Sequence, residues 1–370
     1  MSMLQRPPAE PGMHEDEIDT PALIVDLDAL EANMDHMAAF CAAKGVGLRA
    51  HAKTHKSPVI ARWQIARGAV GQCVQKVSEA EILAWGGAAD ILVSNEIVSP
   101  LKLARLVALT RIAKVAVCTD NFAALPLLEV AAGAAGTRLS VLVEVDVGSR
   151  RCGLPPGDPV VNLARRIAAS RHLIFGGLQA YHGSAQHYRT QPERQAAVAA
   201  AVAAVSRTLD GLRAVGLEAA IVGGAGTGTF EFEAASGVYN EIQAGSYIFM
   251  DADYGRNEPR PDFRQSLFVL SAVMSAQSRK AVVDCGHKGI AVDSGMPLVS
   301  GRPGIEYTGP SDEHGTLTLD ASADKLAIGE RLRLIPGHCD PTVDRYDWYV
   351  GLRGKRVELV WPVAARGAMS

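Results

Sequence analysis

Between residues 46 and 250 the chain alternates short β-type apolar runs with helical stretches, and this rhythm limits the fold more than any other feature. The runs are VGLRAHAK (46–53), AVGQCVQ (69–75), ADILVSN (89–95), KVAVCTD (114–120), RLSVLVEVD (138–146), HLIFGGLQAYHG (172–183), AAIVGGAG (219–226) and EIQAGSYIFM (241–250). Alanine- and leucine-rich segments of helical periodicity separate most of them, as in LDALEANMDHMAAFCAAK and ERQAAVAAAVAAVSRTLDGLRAVG. Eight strands with helical spacers predict an α/β chain built on a (β/α)8 TIM-type barrel, with a doubly wound open sheet as the alternative. After residue 256 the spacers stop. NEPRPD (257–262) reads as a loop, and SLFVLSAVMSA, KAVVDCG, TLTLD, ERLRLIP, DWYVGLRG and KRVELVWPV follow at strand length. The expected division is a barrel over 28–256 and an all-β domain over 257–370. That domain also takes in 1–27, because TPALIVDL (20–27) is a further strand-like run.

Composition narrows the class. With 48% hydrophobic residues the 370-residue chain has ample core material. No run reaches the roughly 18–20 apolar residues of a membrane span, and no basic-then-apolar start marks a secretory leader. A net charge of −3 without a Lys/Arg block argues against nucleic acid as a partner. Six scattered cysteines without a CxxC pair read as reduced thiols, mostly in the core, and the expected location is cytoplasmic.

In a parallel barrel the reactive groups gather at the C-terminal strand ends. There the sequence places His51, Lys53, Gln75, Ser94, Asn95, Asp120, Glu144, Tyr181 and His182. Arg49, His51 and Lys53 alternate along the first run and share a face. Lys53 reads either as a solvated lysine or, desolvated at the barrel mouth, as a nucleophile toward a carbonyl cofactor. GGAGTGTF (223–230) is no Walker loop; it is a tight turn or, with Gly245-Ser246-Tyr247, a phosphate cradle of N–H groups and hydroxyls. In PGHCDPT (336–342), His338 and Asp340 are two apart. On an extended chain they would share a face, with Cys339 turned away, and this pair suits Mg²⁺ or Mn²⁺ better than Zn²⁺.

Taken together, RAHAKTHK (49–56), QKVSEA (75–80), DVGSRRCG (146–153), QAYHGSAQHY (179–188) and PGHCDPT resemble the D-threonine aldolase and 3-hydroxy-D-aspartate aldolase family. That family belongs to the alanine-racemase-like pyridoxal-phosphate enzymes. The resemblance runs over nearly the whole chain and implies a head-to-tail homodimer that carries pyridoxal 5'-phosphate and a divalent metal. It makes Lys53 the Schiff-base lysine and Lys56 a surface charge. It places Arg151 near the cofactor's phenolic oxygen, and Gln75, Tyr181, Gly226, Thr227, Gly228, Gly245, Ser246 and Tyr247 at cofactor contacts. His338 and Asp340 become the metal pair, and His187 the candidate base or proton relay.

The implied reaction splits a D-3-hydroxy amino acid into glycine and an aldehyde. The alternatives are β-elimination, as in D-serine dehydratases, racemisation, or a non-catalytic cofactor carrier. The dehydratases carry cysteine where this chain has Asp340, and the carriers lack a β domain. For a substrate with a distal carboxylate, as in 3-hydroxy-D-aspartate, a cation is needed. Arg256 is one candidate, with a solvated linker residue as its other reading, and Arg150 is a second.

Overall fold

The computed structural model describes residues 5–370, so residues 1–4 of the N-terminal segment lie outside it. Strand β1 (Ala22–Asp26) comes first, followed by eight parallel strands. These are β2 (Gly47–His51), β3 (Gly71–Val74), β4 (Asp90–Glu96), β5 (Lys114–Thr119), β6 (Leu139–Glu144), β7 (Leu173–Gln179), β8 (Ile221–Gly224) and β9 (Glu241–Ile242). Each coincides with one of the eight runs, and only β4 extends past its run, by Glu96. β9 pairs back onto β2, with Gly47 opposite Glu241, which closes the barrel and rules out the open sheet.

Barrel strands are covered on both faces, so they read as continuous apolar runs instead of alternating. The narrow interior takes small side chains, with Cys73, Ala116 and Cys118 beside Leu92 and Leu142. The outer face packs against the helices through Val141, Val143, Leu163, Ile167 and Val205, among others. At the N-terminal end Arg49 closes the barrel floor. Its Nη1 donates to Asp90 Oδ1 (2.7 Å) and its Nε to Glu241 Oε2 (2.6 Å). Arg49 thus bridges two carboxylates inside the closure.

The second unit is a nine-stranded sheet. It contains β10 (Leu267–Ala276), β11 (Lys280–Val283), β12 (Leu298–Val299), β13 (Ile305–Pro310), β14 (Gly315–Leu319), β15 (Arg331–Ile335), β16 (Trp348–Arg353) and β17 (Arg356–Pro362), together with β1. β1 lies inside the sheet, antiparallel to β10 (Ile24 opposite Phe268) and parallel to β16 (Ile24 opposite Val350). Its residues Ala22–Val25 are buried because it has neighbours on both sides. The helix Leu27–Lys44 leaves β1 directly. Asp26 caps it by accepting from the Ala29 N–H (3.0 Å), and Gly45 ends it at φ 66°. The chain therefore starts in the β sheet, builds the barrel and returns.

That return holds the sheet over the barrel mouth. Tyr349 Oη donates to the His55 carbonyl (2.7 Å), Ala365 N–H to the Lys56 carbonyl (2.9 Å), and Ser78 N–H to the Ser370 carbonyl (2.8 Å). Lys56 is consequently not a surface charge. It is buried, with Nζ 3.0 Å from Glu79 Oε1 and 3.1 Å from Asp344 Oδ1, where it joins the two units. All six cysteines are free, and all but Cys152 are buried. No helix among the described residues is long and apolar enough to cross a membrane.

Candidate active site

A cavity of about 650 Å³ opens at the C-terminal ends of the barrel strands. Of the residues singled out in the sequence, Lys53, Gln75, Arg151, Tyr181, His187, Gly226, Thr227, Gly245 and Ser246 line it. They come from loops after six different strands, so closure of the barrel, not sequence proximity, brings them together.

Lys53 follows β2 on a short turn held by the Lys56 N–H to Ala52 carbonyl bond (2.7 Å). Its Nζ forms an ion pair with Asp340, the residue taken as a metal ligand. Burial lowers the affinity of the Lys53 amine for its proton, but the Asp340 carboxylate outweighs this and raises it overall. The same pair works on Asp340: burial favours its neutral form, Lys53 favours the carboxylate, and the carboxylate prevails. Beside Lys53, His51 is kept neutral by burial and by the lysine's charge. Gln75 Nε2 lies 3.0 Å from His51 Nε2 and donates to Ser94 Oγ (3.0 Å), which fixes the amide in the wall.

Arg151 sits on the loop after β6. Asp146 Oδ1 gathers this loop by accepting from the Gly148 (2.9 Å) and Arg150 (3.0 Å) N–H groups, and Asp120 Oδ2 accepts from the Gly153 N–H (2.9 Å). Glu144 beneath it is pushed up to about 9, first by burial and then by the Glu96 carboxylate.

The loops after β8 and β9 supply Gly226, Thr227, Gly245 and Ser246. Thr227 Oγ1 is buried without a hydrogen-bond partner, a cost that a bound acceptor would remove. A Cβ on Gly245 would lie 2.7 Å from the His51 carbonyl oxygen, so the loop seats against β2 only with glycine there. Two expected contacts fail. Gly228 gives its N–H to Gln186 Oε1 (2.9 Å) behind the loop and does not line the cavity. Tyr247 points into the core, fully buried, where its hydroxyl accepts from Gln64 Nε2 (3.0 Å). Tyr247 turns inward because the chain turns at Ser246–Ile248 instead of continuing as a strand.

The His338–Asp340 pair also differs from its expected form. A helix begins at Cys339, with His338 as its N-cap, so the two are not alternate residues of one extended face. Cys339 is not turned away either; its buried Sγ lies 3.4 Å from Asp340 Oδ1. His338 Nδ1 donates to Asp293 Oδ2 (2.8 Å), which leaves Nε2 with its lone pair, the arrangement a metal-binding imidazole needs. His187 Nδ1 likewise donates to Asp253 Oδ2 (2.5 Å). Asp253 and Asp293 carry no motif of their own; Asp253 stands 66 residues from its histidine and Asp293 stands 45. Arg256 is outside the cavity lining and is bound to Asp253.

Residues 25–253 match the family described as "Alanine racemase, N-terminal domain", and residues 266–352 match "Putative serine dehydratase domain". The chain is 47% identical to a 3-hydroxy-D-aspartate aldolase from Paracoccus denitrificans (strain Pd 1222), over 97% of this chain and 95% of that protein. It belongs to the D-threonine aldolase and 3-hydroxy-D-aspartate aldolase family. A D-threonine aldolase from Arthrobacter sp is 46% identical over 98% of this chain and 96% of its own. The crystal structure of D-threonine aldolase from Filomicrobium marinum superposes with a TM-score of 0.97 at 47% identity, covering 99% of this chain and 100% of that one.

The residues here fit the cofactor of this family. A lysine and an arginine line the cavity, and an unpartnered hydroxyl is buried on a glycine-rich loop in its wall. The donor set of His338 and Asp340, oxygen and imidazole nitrogen, fits a divalent cation of hard-to-borderline character.

Proposed function

We propose that this chain is a pyridoxal-phosphate- and divalent-metal-dependent aldehyde-lyase. It cleaves D-3-hydroxy amino acids between Cα and Cβ to glycine and an aldehyde. The observation that carries this reading is the Lys53–Asp340 ion pair, which joins the cofactor lysine of the barrel to the metal segment of the β domain in one cavity.

Lys53 holds the cofactor. Thr227 and Ser246, with the glycine backbones beside them, hold its phosphate, while Arg151, Gln75 and Tyr181 fix the ring's orientation. When bound, pyridoxal phosphate supplies the electron sink for the pair left on Cα. His338 and Asp340 would hold Mn²⁺ or Mg²⁺, which supplies Lewis acidity at the β-hydroxyl. His187 lines the cavity with Nδ1 committed to Asp253, so its Nε2 is the atom that takes the hydroxyl proton. The sheet that covers the mouth through Tyr349 and the C-terminal tail limits water at the reacting bond.

The substrate is D-threonine or 3-hydroxy-D-aspartate, giving acetaldehyde or glyoxylate, and the latter competes with or exceeds the former. Lys76 and Arg151 line the cavity and offer the positive charge that a distal carboxylate needs. The enzyme works as a homodimer. Both substrates incubated with purified protein test the reading. Glycine plus aldehyde, lost with EDTA, is expected. Ammonia plus a keto acid would instead establish the dehydratase reaction, which the match over 266–352 keeps as the second reading.

A further inference from the structure

Arg256 stands just outside the cavity, where the barrel passes into the β sheet, and it is bound on both sides. Its Nη2 donates to Asp253 Oδ1 (2.6 Å) and to the Ser294 carbonyl (2.5 Å). Asp253 is buried, and its other oxygen holds His187; Arg189 Nη2 adds a third bond to Asp253, at Oδ1 (2.5 Å). Ser294 belongs to the segment whose Asp293 holds His338. That segment approaches Arg256 and Gly337 closely. Gly295 sits at φ 122°, and a Cβ there would lie 2.7 Å from Arg256 Nη1. A Cβ on Gly337, the residue before His338, would lie 1.9 Å from the Gly295 carbonyl oxygen.

We propose that Arg256 is a positioning residue that ties His187 to His338, so that the base and the metal ligand are set by one continuous chain of contacts. The chain runs His187, Asp253, Arg256, Ser294–Gly295, Gly337 and His338. Arg256 therefore does not read the substrate's carboxylate. Its guanidinium presents donors in a fixed plane and can serve a carboxylate and a carbonyl at once, whereas a lysine ammonium in its place is a flexible point charge. The proposal rests on the reading of His338 and Asp340 as metal ligands.

The test is a Mn²⁺ titration of chelator-stripped protein that still carries its cofactor, with free Mn²⁺ followed by electron paramagnetic resonance. Groups that orient a metal ligand change affinity by about ten- to a hundred-fold when removed. Arg256→Ala is accordingly expected to weaken Mn²⁺ binding about ten-fold, with the cofactor's visible absorption unchanged. Its kcat/KM is expected to fall by one common factor for D-threonine and 3-hydroxy-D-aspartate. Arg256→Lys is expected to fall between Arg256→Ala and the parent, and it carries the comparison if the alanine variant does not fold. Unchanged Mn²⁺ affinity, or a loss confined to 3-hydroxy-D-aspartate, would overturn the proposal. His338→Ala separates the two readings: if it binds Mn²⁺ as the parent does, the metal site itself fails.

Discussion

The two ends of the cavity are built in opposite ways. At the proposed phosphate end the loops after β8 and β9 lie about twenty residues apart and both belong to the barrel. At the reacting end Lys53 meets Asp340, 287 residues further along the chain and in the other structural unit. The first end takes its residues from the barrel alone. The second exists only when the β sheet is seated on the barrel mouth, through Lys56, Tyr349 and the C-terminal tail. Cofactor binding and bond cleavage should therefore be separable.

The largest expected effect comes from Lys53, the one residue that serves both ends. Lys53→Ala should abolish the cofactor's visible absorption and all turnover. A reducible cofactor linkage retained at another lysine would remove Lys53 from its role. Next is the joint between the units. Lys56→Ala leaves the buried Glu79 carboxylate and the half-buried Asp344 without their cation, a loss of about 3 kcal/mol. Denaturant unfolding of the two proteins measures it, and unchanged stability would mean that the Lys56 ion pairs do not hold the sheet. Smaller effects distinguish two neighbours at the phosphate end. Thr227→Val removes a buried hydroxyl that has no partner of its own and should weaken cofactor affinity about ten-fold, in line with one lost hydrogen bond to a charged group. Tyr247→Phe removes only the bond to Gln64, so it should cost about 1 kcal/mol of stability and leave cofactor affinity unchanged.

The same contrast governs how much could be read from the sequence. The eight barrel strands show because each is a short apolar run between helices, and the groups at their ends are local to those runs. EIQAGSYIFM looked like a longer strand than the two-residue β9, because a turn at Ser246–Ile248 can bury apolar side chains as well as a strand does. β12 and β13 escaped notice amid the glycines and prolines of 295–310, where pairing rather than pattern makes the strand. The His338–Asp340 pair was recognisable, but its geometry was not, since nothing in PGHCDPT announces that a helix begins at Cys339. The charge of Lys56 looked external, and only the return of residues 344–365 over the barrel mouth buries it. Asp253 and Asp293, which orient the two histidines, have no local signal at all because their function depends on distant partners.

The most direct test of this separation is exhaustive chelation of the purified, cofactor-loaded protein, with absorption and cleavage followed on the same sample. The account predicts that the cofactor's visible absorption persists while release of glycine and aldehyde stops, and that Mn²⁺ or Mg²⁺ restores it. Full cleavage after chelation, or loss of the cofactor together with the metal, would contradict it.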